Sequence, residues 1–481
     1  SIIMTSTIKV NNIQNQCGAN IINENSNTIT IGASGDTIAL ASGASQSGFG
    51  REGSVDWQTG SIKTTTFTAT SGEGYFVDTS SGVVTMNLPA GSPGAIVAVA
   101  DYTRTFNNNN LTIAANGSEL IGGQSGDALL NVNGQAATFV YVDGTEGWIN
   151  VQETQTSQTG SPPFILASGG TETTCGNCKI HTFTGPGTFQ VCAVAGVCSA
   201  TRNLVSHMVV AGGGGGGSSY RSGAGGAGGF REVKNPINPY TASPLDGYST
   251  PANRVTVLAQ SYPITVGGGG AGGGACTACS GVNGNPSIFS TITSAGGGAG
   301  GEYNPSSGPA SIGSPGGSGG GGGGDNSGPS AKGTGNTPPV SPAQGNNGGD
   351  GCVASNSSGG GGGGAGAAGS PGGSPATSNV GGVGTPTNIA PASGTTGPAP
   401  GRYFSGGGGG GQYVTVGGAN PAGGAGGGGA GATENSPGVY GSGTPGTANT
   451  GGGGGGKAGT AAAGTSGNGG SGIVVIRYKF Q

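Results

Sequence analysis

Five times in this chain six glycines stand in a row, at 212–217, 319–324, 359–364, 406–411 and 451–456. No other feature restricts the fold as strongly. Glycine loses more backbone entropy on ordering than any other residue and has no side chain to bury, so such runs build neither an α-helix nor an ordinary core. One outcome is a flexible linker, but linkers usually mix glycine with serine, and these runs are pure and broken by apolar, strand-like segments. The other is a polyproline-II-type helix, with three residues per turn and a rise of about 3.1 Å per residue. It makes no internal hydrogen bonds, so its N–H and C=O groups must bond to neighbours. Glycine on all three faces lets neighbours approach on every side. Six glycines give two turns, about 19 Å of rod. An interior rod must then be glycine throughout, whereas an outer one tolerates Ala or Ser on one face, as in 223–229 (GAGGAGG) and 423–432 (GGAGGGGAGA). The one-in-three glycine period of collagen is absent. The expectation for 211–470 is an ordered polyglycine II bundle.

Composition narrows the function. Of 481 residues 117 are Gly and 27 Pro, only 7% are charged and 5% aromatic, and the net charge is −4. That is too little apolar material for several ordinary packed domains, which argues against a conventional enzyme. Fifteen Lys and Arg against 19 Asp and Glu argue against a nucleic-acid partner. No apolar run approaches the roughly 20 residues of a membrane span, so membrane insertion is not expected. The N-terminus SIIMTSTIKV lacks the basic and apolar regions of a secretory signal, and Met4 reads as the initiator.

Outside the glycine region the sequence reads as all-β, with essentially no α-helix. Short β-branched runs alternate with turn residues: TSTIKVNNI, NTITIGA, GVVTMNL, GAIVAVADY, LTIAANG, ATFVYVDG. A compact unit spans 72–154, and 157–163 (SQTGSPP) reads as a linker. Beyond it KIHTFT and TFQVCAV flank Gly185-Pro186-Gly187, a hairpin signal. Further strands are expected at 204–210, 254–266, 287–293, 412–416 and 473–480, together forming a β-platform that brackets the glycine rods.

The string GYFVDT, LPAG, VADY, NNLTI, NGS and YVDG–GWI within 72–154 resembles the shaft and knob modules of marine bacteriophage tail-fibre proteins. The segment MTSTIKVNNIQNQCGANIINENSNTITIG resembles their N-terminal attachment segment. KIHTFTGPGTF, MVVAGGGGGG, GGFREVKNPINPYTASPL, YPITVGGGG and GGSGIVVIRY resemble the glycine-rich C-terminal domain of phage tail proteins and tail-tip adhesins. The resemblance implies a virion attachment segment at 1–60, a β-structured module at 61–156, a linker at 157–165, platform strands at 166–210, the glycine bundle at 211–470 and a closing strand at 471–481. It also implies a homotrimer in the N-terminal half, because the Thr/Ser-rich strands offer one chain little apolar surface. The function implied is a receptor-binding tail fibre, located in the virion and extracellular. It would join phage tail or baseplate proteins to a host surface glycan or outer-membrane protein. The alternative is a purely structural fibre or decoration protein.

Recognition is expected on the segments between glycine runs, 235–251, 276–286, 302–315, 325–347, 370–404 and 433–450, since binding residues concentrate on loops held by a stiff scaffold. Tyr240, Tyr303, Arg402, Tyr403, Phe404 and Tyr440 are the candidate contact groups, with Arg402-Tyr403-Phe404 placed to stack on a sugar or clamp an acidic surface group. No catalytic constellation appears: His181 and His207 lie in strand patterns, and Glu302, Asp325, Asp350 and Glu434 are scattered. No cofactor is expected. Eight cysteines include the pairs CGNC and CTAC, which in an oxidising exterior favour disulfides or free thiols. A zinc site of Cys175, Cys178, His181 and Cys192 is the alternative on spacing.

Overall fold

In the computed structural model of the protein, the described residues are 12–14, 20–25, 28–31, 55–152, 164–195, 201–274, 279–303, 311–324, 330–352, 358–373, 379–413, 419–434, 440–459 and 464–480. The expected linker at 157–163 and the segments 304–310, 325–329, 353–357, 374–378, 414–418 and 435–439 therefore lie outside them. Residues 1–57 form one compact unit and 58–481 a second. The chain is all-β, with no α-helix among the described residues; a 3-10 turn occurs at Pro251–Asn253.

The first unit holds an antiparallel meander, β1 (Asn12–Gln14), β2 (Asn20–Asn25) and β3 (Thr28–Ile31), in which Ile13, Ile22 and Ile31 stand in one row, followed by β4 (Asp56–Trp57).

In the second unit two sheets enclose the first core. One runs β10-β9-β7-β5 and the other places β12, β11, β8 and β6 side by side. The strands are β5 (Phe67–Thr68), β6 (Glu73–Val77), β7 (Val84–Asn87), β8 (Ile96–Asp101), β9 (Leu111–Ala114), β10 (Ala128–Leu130), β11 (Ala136–Tyr141) and β12 (Trp148–Asn150). Period-two alternation sends Tyr75, Val77, Met86, Val97, Val99, Leu111, Ile113, Phe139 and Trp148 inward. This corrects the premise behind the expected trimer: one chain closes this core by itself. What remains outside is uneven. The first sheet turns Thr85, Asn87, Thr112, Ala114 and Leu129 outward, whereas the second turns out Phe76, Ile96, Ala100, Thr138, Val140 and Ile149, with no charge among them.

The expected platform is a sandwich. One sheet runs β13-β16-β20-β21-β22, the other β14-β15-β27-β17-β18, with β19 (Val255–Thr256) on β17. Its strands are β13 (Leu166–Ser168), β14 (Thr171–Cys175), β15 (Cys178–Phe183), β16 (Gly187–Ala193), β17 (Leu204–Val210), β18 (Phe230–Val233), β20 (Ser261–Thr265), β21 (Ser287–Phe289), β22 (Ile292–Ser294) and β27 (Ile473–Lys479). β17 and β27 read LVSHMVV and IVVIRYK because both their faces are covered. One face joins Val205, Val209, Val474 and Ile476 to Phe183, Phe189 and Phe289. The other joins Met208, Val210, Ile473 and Val475 to Phe230, Ile389 and Phe404. The hairpin expected around Gly185-Pro186-Gly187 does not form. β15 pairs with β14 and β27, while β16 pairs with β13 and β20, so the chain crosses there between sheets. The tight turn is instead at Gly176-Asn177, with Gly176 at φ +57° and Cys175 opposite Cys178. The segment expected at 412–416 supplies β25 (Gln412–Tyr413), parallel to β26 (Thr433–Glu434); its remainder lies outside the described residues. β23 (Thr385–Thr387) and β24 (Arg402–Phe404) pair antiparallel.

From the ends of these strands the glycine segments run as a solenoid-like stack of extended rods. Every glycine of the five runs is buried. In 212–217 the N–H groups of Gly212 and Gly215 donate to Asn285 and Val282, those of Gly213 and Gly216 to Gly470 and Gly467, and those of Gly214 and Gly217 to Gly226 and Gly223, all at 2.9–3.0 Å. Gly270 and Gly273, Gly297 and Gly300, and Gly454 donate back to its carbonyls. Six neighbours thus surround one run, and the partner changes with a period of three. In 406–411 the N–H partners alternate likewise among Gly426 and Gly429, Gly382 and Asn379, and Gly225 and Ser222. Outer segments show the same period in burial. Along 267–274 every third residue, Gly267, Gly270 and Gly273, is buried, and Ala271 sits on the exposed face. Several stretches expected to be loops are also rods. In 281–286 only Gly281 and Gly284 face inward, donating to Gly300 and Gly297, and in 330–336 Gly333 faces in and donates to Gly320. A rod with neighbours on one side needs glycine on that side alone.

Candidate functional site

The rods leave the platform at Val210 and Ser405 and end, about 19 Å on, at Ser218 and Gln412. There Ser219 takes φ +71° and turns the chain from 212–217 back into 223–229, which sets Tyr220 and Arg221 at the apex. Tyr303 follows the rod 296–302, Tyr413 follows 406–411, and Tyr440 opens the rod beside Ala458. These side chains meet. The Arg221 guanidinium lies 5.2 Å from the Tyr303 ring centroid and 5.0 Å from that of Tyr413, and Tyr220 meets Tyr303 edge-on at 5.7 Å. Gly459 donates to the Tyr220 carbonyl, and Tyr440 lies so close on Gly459, at φ +113°, that a Cβ there would fall 2.2 Å from its ring.

All five side chains are half-buried. Burial, with Tyr440, Glu434, Tyr303 and Tyr413 nearby, pushes the Tyr220 phenol above its usual range. Glu302 and Glu434 are buried beside the cluster, and burial raises the Glu302 carboxyl. Lys457 is also buried, its ammonium donating to the Gly464 carbonyl, and burial lowers its pKa. Two half-buried rings on one guanidinium, with Tyr220 and Tyr440 beside them, offer stacking faces and a planar donor fork, suited to a sugar ring or an acidic group.

The structure brings together Tyr303 and Tyr440 of the expected contact residues and separates the rest. Phe404 is fully buried at 0% exposure, packed with Val210, Ile389, Ile473 and Val475. Tyr403 is also buried, its hydroxyl accepting the Ala399 N–H at 3.0 Å. The Arg402 side chain donates to the Ser393 carbonyl at 2.8 Å and to that of Gly394. These three lie on β24 of the β23–β24 pair at the platform end, where Tyr403 and Phe404 are packed interior and Arg402 is half-buried against backbone carbonyls. Tyr240 lies at that end too, beneath the Arg477 guanidinium at 5.0 Å. Tyr220, Arg221 and Tyr413 were missed, yet each lies within four residues of a hexaglycine terminus.

The zinc alternative does not assemble. Cys175 and Cys178 face each other on the hairpin, while Cys192 is exposed on a different sheet. The His181 Nδ1 donates to the Gly169 carbonyl at 2.7 Å and Nε2 accepts from the Tyr478 hydroxyl at 3.0 Å; burial lowers its pKa. No group of three His, Cys, Asp or Glu able to hold a metal occurs among the described residues. Cys279 is disulfide-bonded, whereas Cys175, Cys178, Cys192 and Cys352 are free thiols. Cys17, Cys198 and Cys276 lie outside the described residues.

Residues 183–479, more than half of the chain, match the glycine-rich domain family. No curated protein matches the chain.

Proposed function

Since the chain belongs to the glycine-rich domain family, we propose that its rods are polyglycine II helices displaying a receptor-binding surface at the end remote from the platform. The protein is then a bacteriophage tail-fibre adhesin that attaches the virion to the host surface. The period-three change of hydrogen-bond partner supports the helix type. So does the single hand of the runs, in which only Gly451 takes positive φ. The observation that carries the recognition reading is the cluster of Tyr220, Arg221, Tyr303, Tyr413 and Tyr440, drawn from four separate turns to one end of the bundle. Rings bring large contact area at small entropic cost. The homotrimer belongs to the same reading, and the uncharged outward face of Phe76, Ile96, Val140 and Ile149 is the surface other copies would cover.

Labelled full-length protein applied to a panel of bacterial envelopes tests this. Wild type binds one or more envelopes, and Tyr303→Ser with Tyr413→Ser weakens binding about tenfold or more with unchanged thermal stability. Binding that survives both substitutions, or none to any envelope, favours a structural fibre.

A further inference from the structure

At the platform end the β14–β15 hairpin extends past the cover that Ile389 and Phe404 give the six-stranded sheet. Two adjoining clefts, of about 340 and about 620 Å³, open there and share Cys175 and Pro391. The smaller has Thr171, Thr173, Ile180 and Thr182 as its floor and Ala390 and Ser393 as its wall. The larger is lined by Tyr240, Asn388 and Arg477. Arg477 is 1% exposed. Its Nη1 donates to the carbonyls of Asn388 and Ile389 at 3.3 and 3.2 Å and its Nη2 to that of Pro239 at 3.5 Å, while its buried Nε has no hydrogen-bond partner. None of the ion pairs among the described residues includes it. Arginine is almost never fully buried without a charge partner; here only carbonyls and the Tyr240 ring face it.

We propose that the joined clefts bind an acidic saccharide, with a sugar carboxylate on Arg477 and the adjoining ring along the threonines. The guanidinium fork suits a carboxylate. The floor alternates hydroxyl and methyl groups, matching a sugar's hydroxyl edges and C–H faces. β14 extends about 14 Å along it, long enough for more than one sugar residue. This site is remote from the tyrosine cluster and does not depend on the adhesin reading.

Full-length protein is titrated calorimetrically with oligogalacturonate, monomeric galacturonate, a neutral galactose oligomer of equal length, and inorganic sulfate. In parallel, alkylation of Cys175 by N-ethylmaleimide is followed by peptide mass spectrometry. The expectation is saturable binding of the acidic oligomer, with the neutral oligomer and sulfate about tenfold weaker or more, and slower alkylation of Cys175 but not of exposed Cys192. Because Arg477→Gln could compromise folding, Thr173→Trp, which fills the smaller cleft from an exposed position, is the second variant. It should abolish binding while leaving thermal stability unchanged. Equal binding of acidic and neutral oligomers, sulfate binding as tightly as the oligomer, or unprotected Cys175 overturns the proposal.

Discussion

Gly408→Ala and Gly268→Ala add the same methyl group to two glycine rods, yet they should differ sharply. At Gly408 a Cβ would sit 2.2 Å from the Gly454 carbonyl oxygen and 2.7 Å from its carbon. Ordinary contact begins near 3.4 Å, so the two rods must separate by about 1 Å. Backbone is the obstacle, and no side chain can swing aside. The bonds that join these two rods, Gly453 to Gly406 at 2.9 Å and Gly456 to Gly409 at 2.8 Å, would stretch toward the limit of hydrogen-bond range. Losing two buried bonds costs about 1–3 kcal/mol each, so Gly408→Ala should destabilise by about 3 kcal/mol or more. Gly268 has only the Asn285 Nδ2, at 3.7 Å, in the path of a Cβ, and its φ is not positive. Alanine there should be neutral or stabilise by about 0.4–1 kcal/mol through the unfolded chain. In thermal unfolding of the full-length variants, Gly408→Ala should melt lower by roughly 6–12 °C, and Gly268→Ala no lower than wild type. Equal melting of the two variants would refute the close-packed account.

Three further outcomes follow. Glu232 is buried, accepting from the Thr387 hydroxyl at 2.6 Å and the Ser243 N–H at 2.8 Å, and burial raises its pKa from 4.5 to about 6. A raised acid stabilises the fold below its unfolded pKa and loses that contribution as pH rises through the folded value, so stability should fall by about 2 kcal/mol between pH 4.5 and 6; Glu232→Gln should abolish that step in denaturant titrations. Trp148, fully buried with its Nε1 donating to Glu119 at 3.0 Å, should cost about 3–5 kcal/mol when cut to Ala, read as a lower denaturation midpoint. Sedimentation should give three times the 45.0 kDa chain mass, and Val140→Glu on the uncharged face should reduce it to one; a monomeric wild type removes the trimer.

What could be read from the sequence follows from how local each cause is. Interior rods were legible because a buried rod with six neighbours admits glycine alone, and β17 and β27 because strands covered on both faces are apolar on both, apart from Ser206, His207 and Arg477. Outer rods such as 281–286 and 330–336 escaped notice: one glycine in three, among Asn, Lys and Thr, looks like a loop. The Gly185-Pro186-Gly187 signal misled because a turn sequence says nothing of longer partners, and β15 and β16 each found theirs in separate sheets. Arg402-Tyr403-Phe404 looked like a contact cluster by composition, but β24 alternation and the apolar cover on β17 and β27 draw Phe404 inside. The aromatic cluster was half legible. Tyr303 and Tyr440 stood out as rings in loops, whereas Tyr220, Arg221 and Tyr413 gain meaning only when rods of equal length bring their turns to one level.

The central claim is that the hexaglycine runs are the ordered interior of the domain. Amide hydrogen exchange of the full-length protein, followed residue by residue, tests it most directly. Each N–H of 212–217 and 406–411 is buried and bonded to a carbonyl of a different rod, so these amides should exchange only with global unfolding, as slowly as those of β17 and β27. Exchange of the runs at the rate of an unstructured glycine linker, while β17 and β27 stay protected, would contradict it.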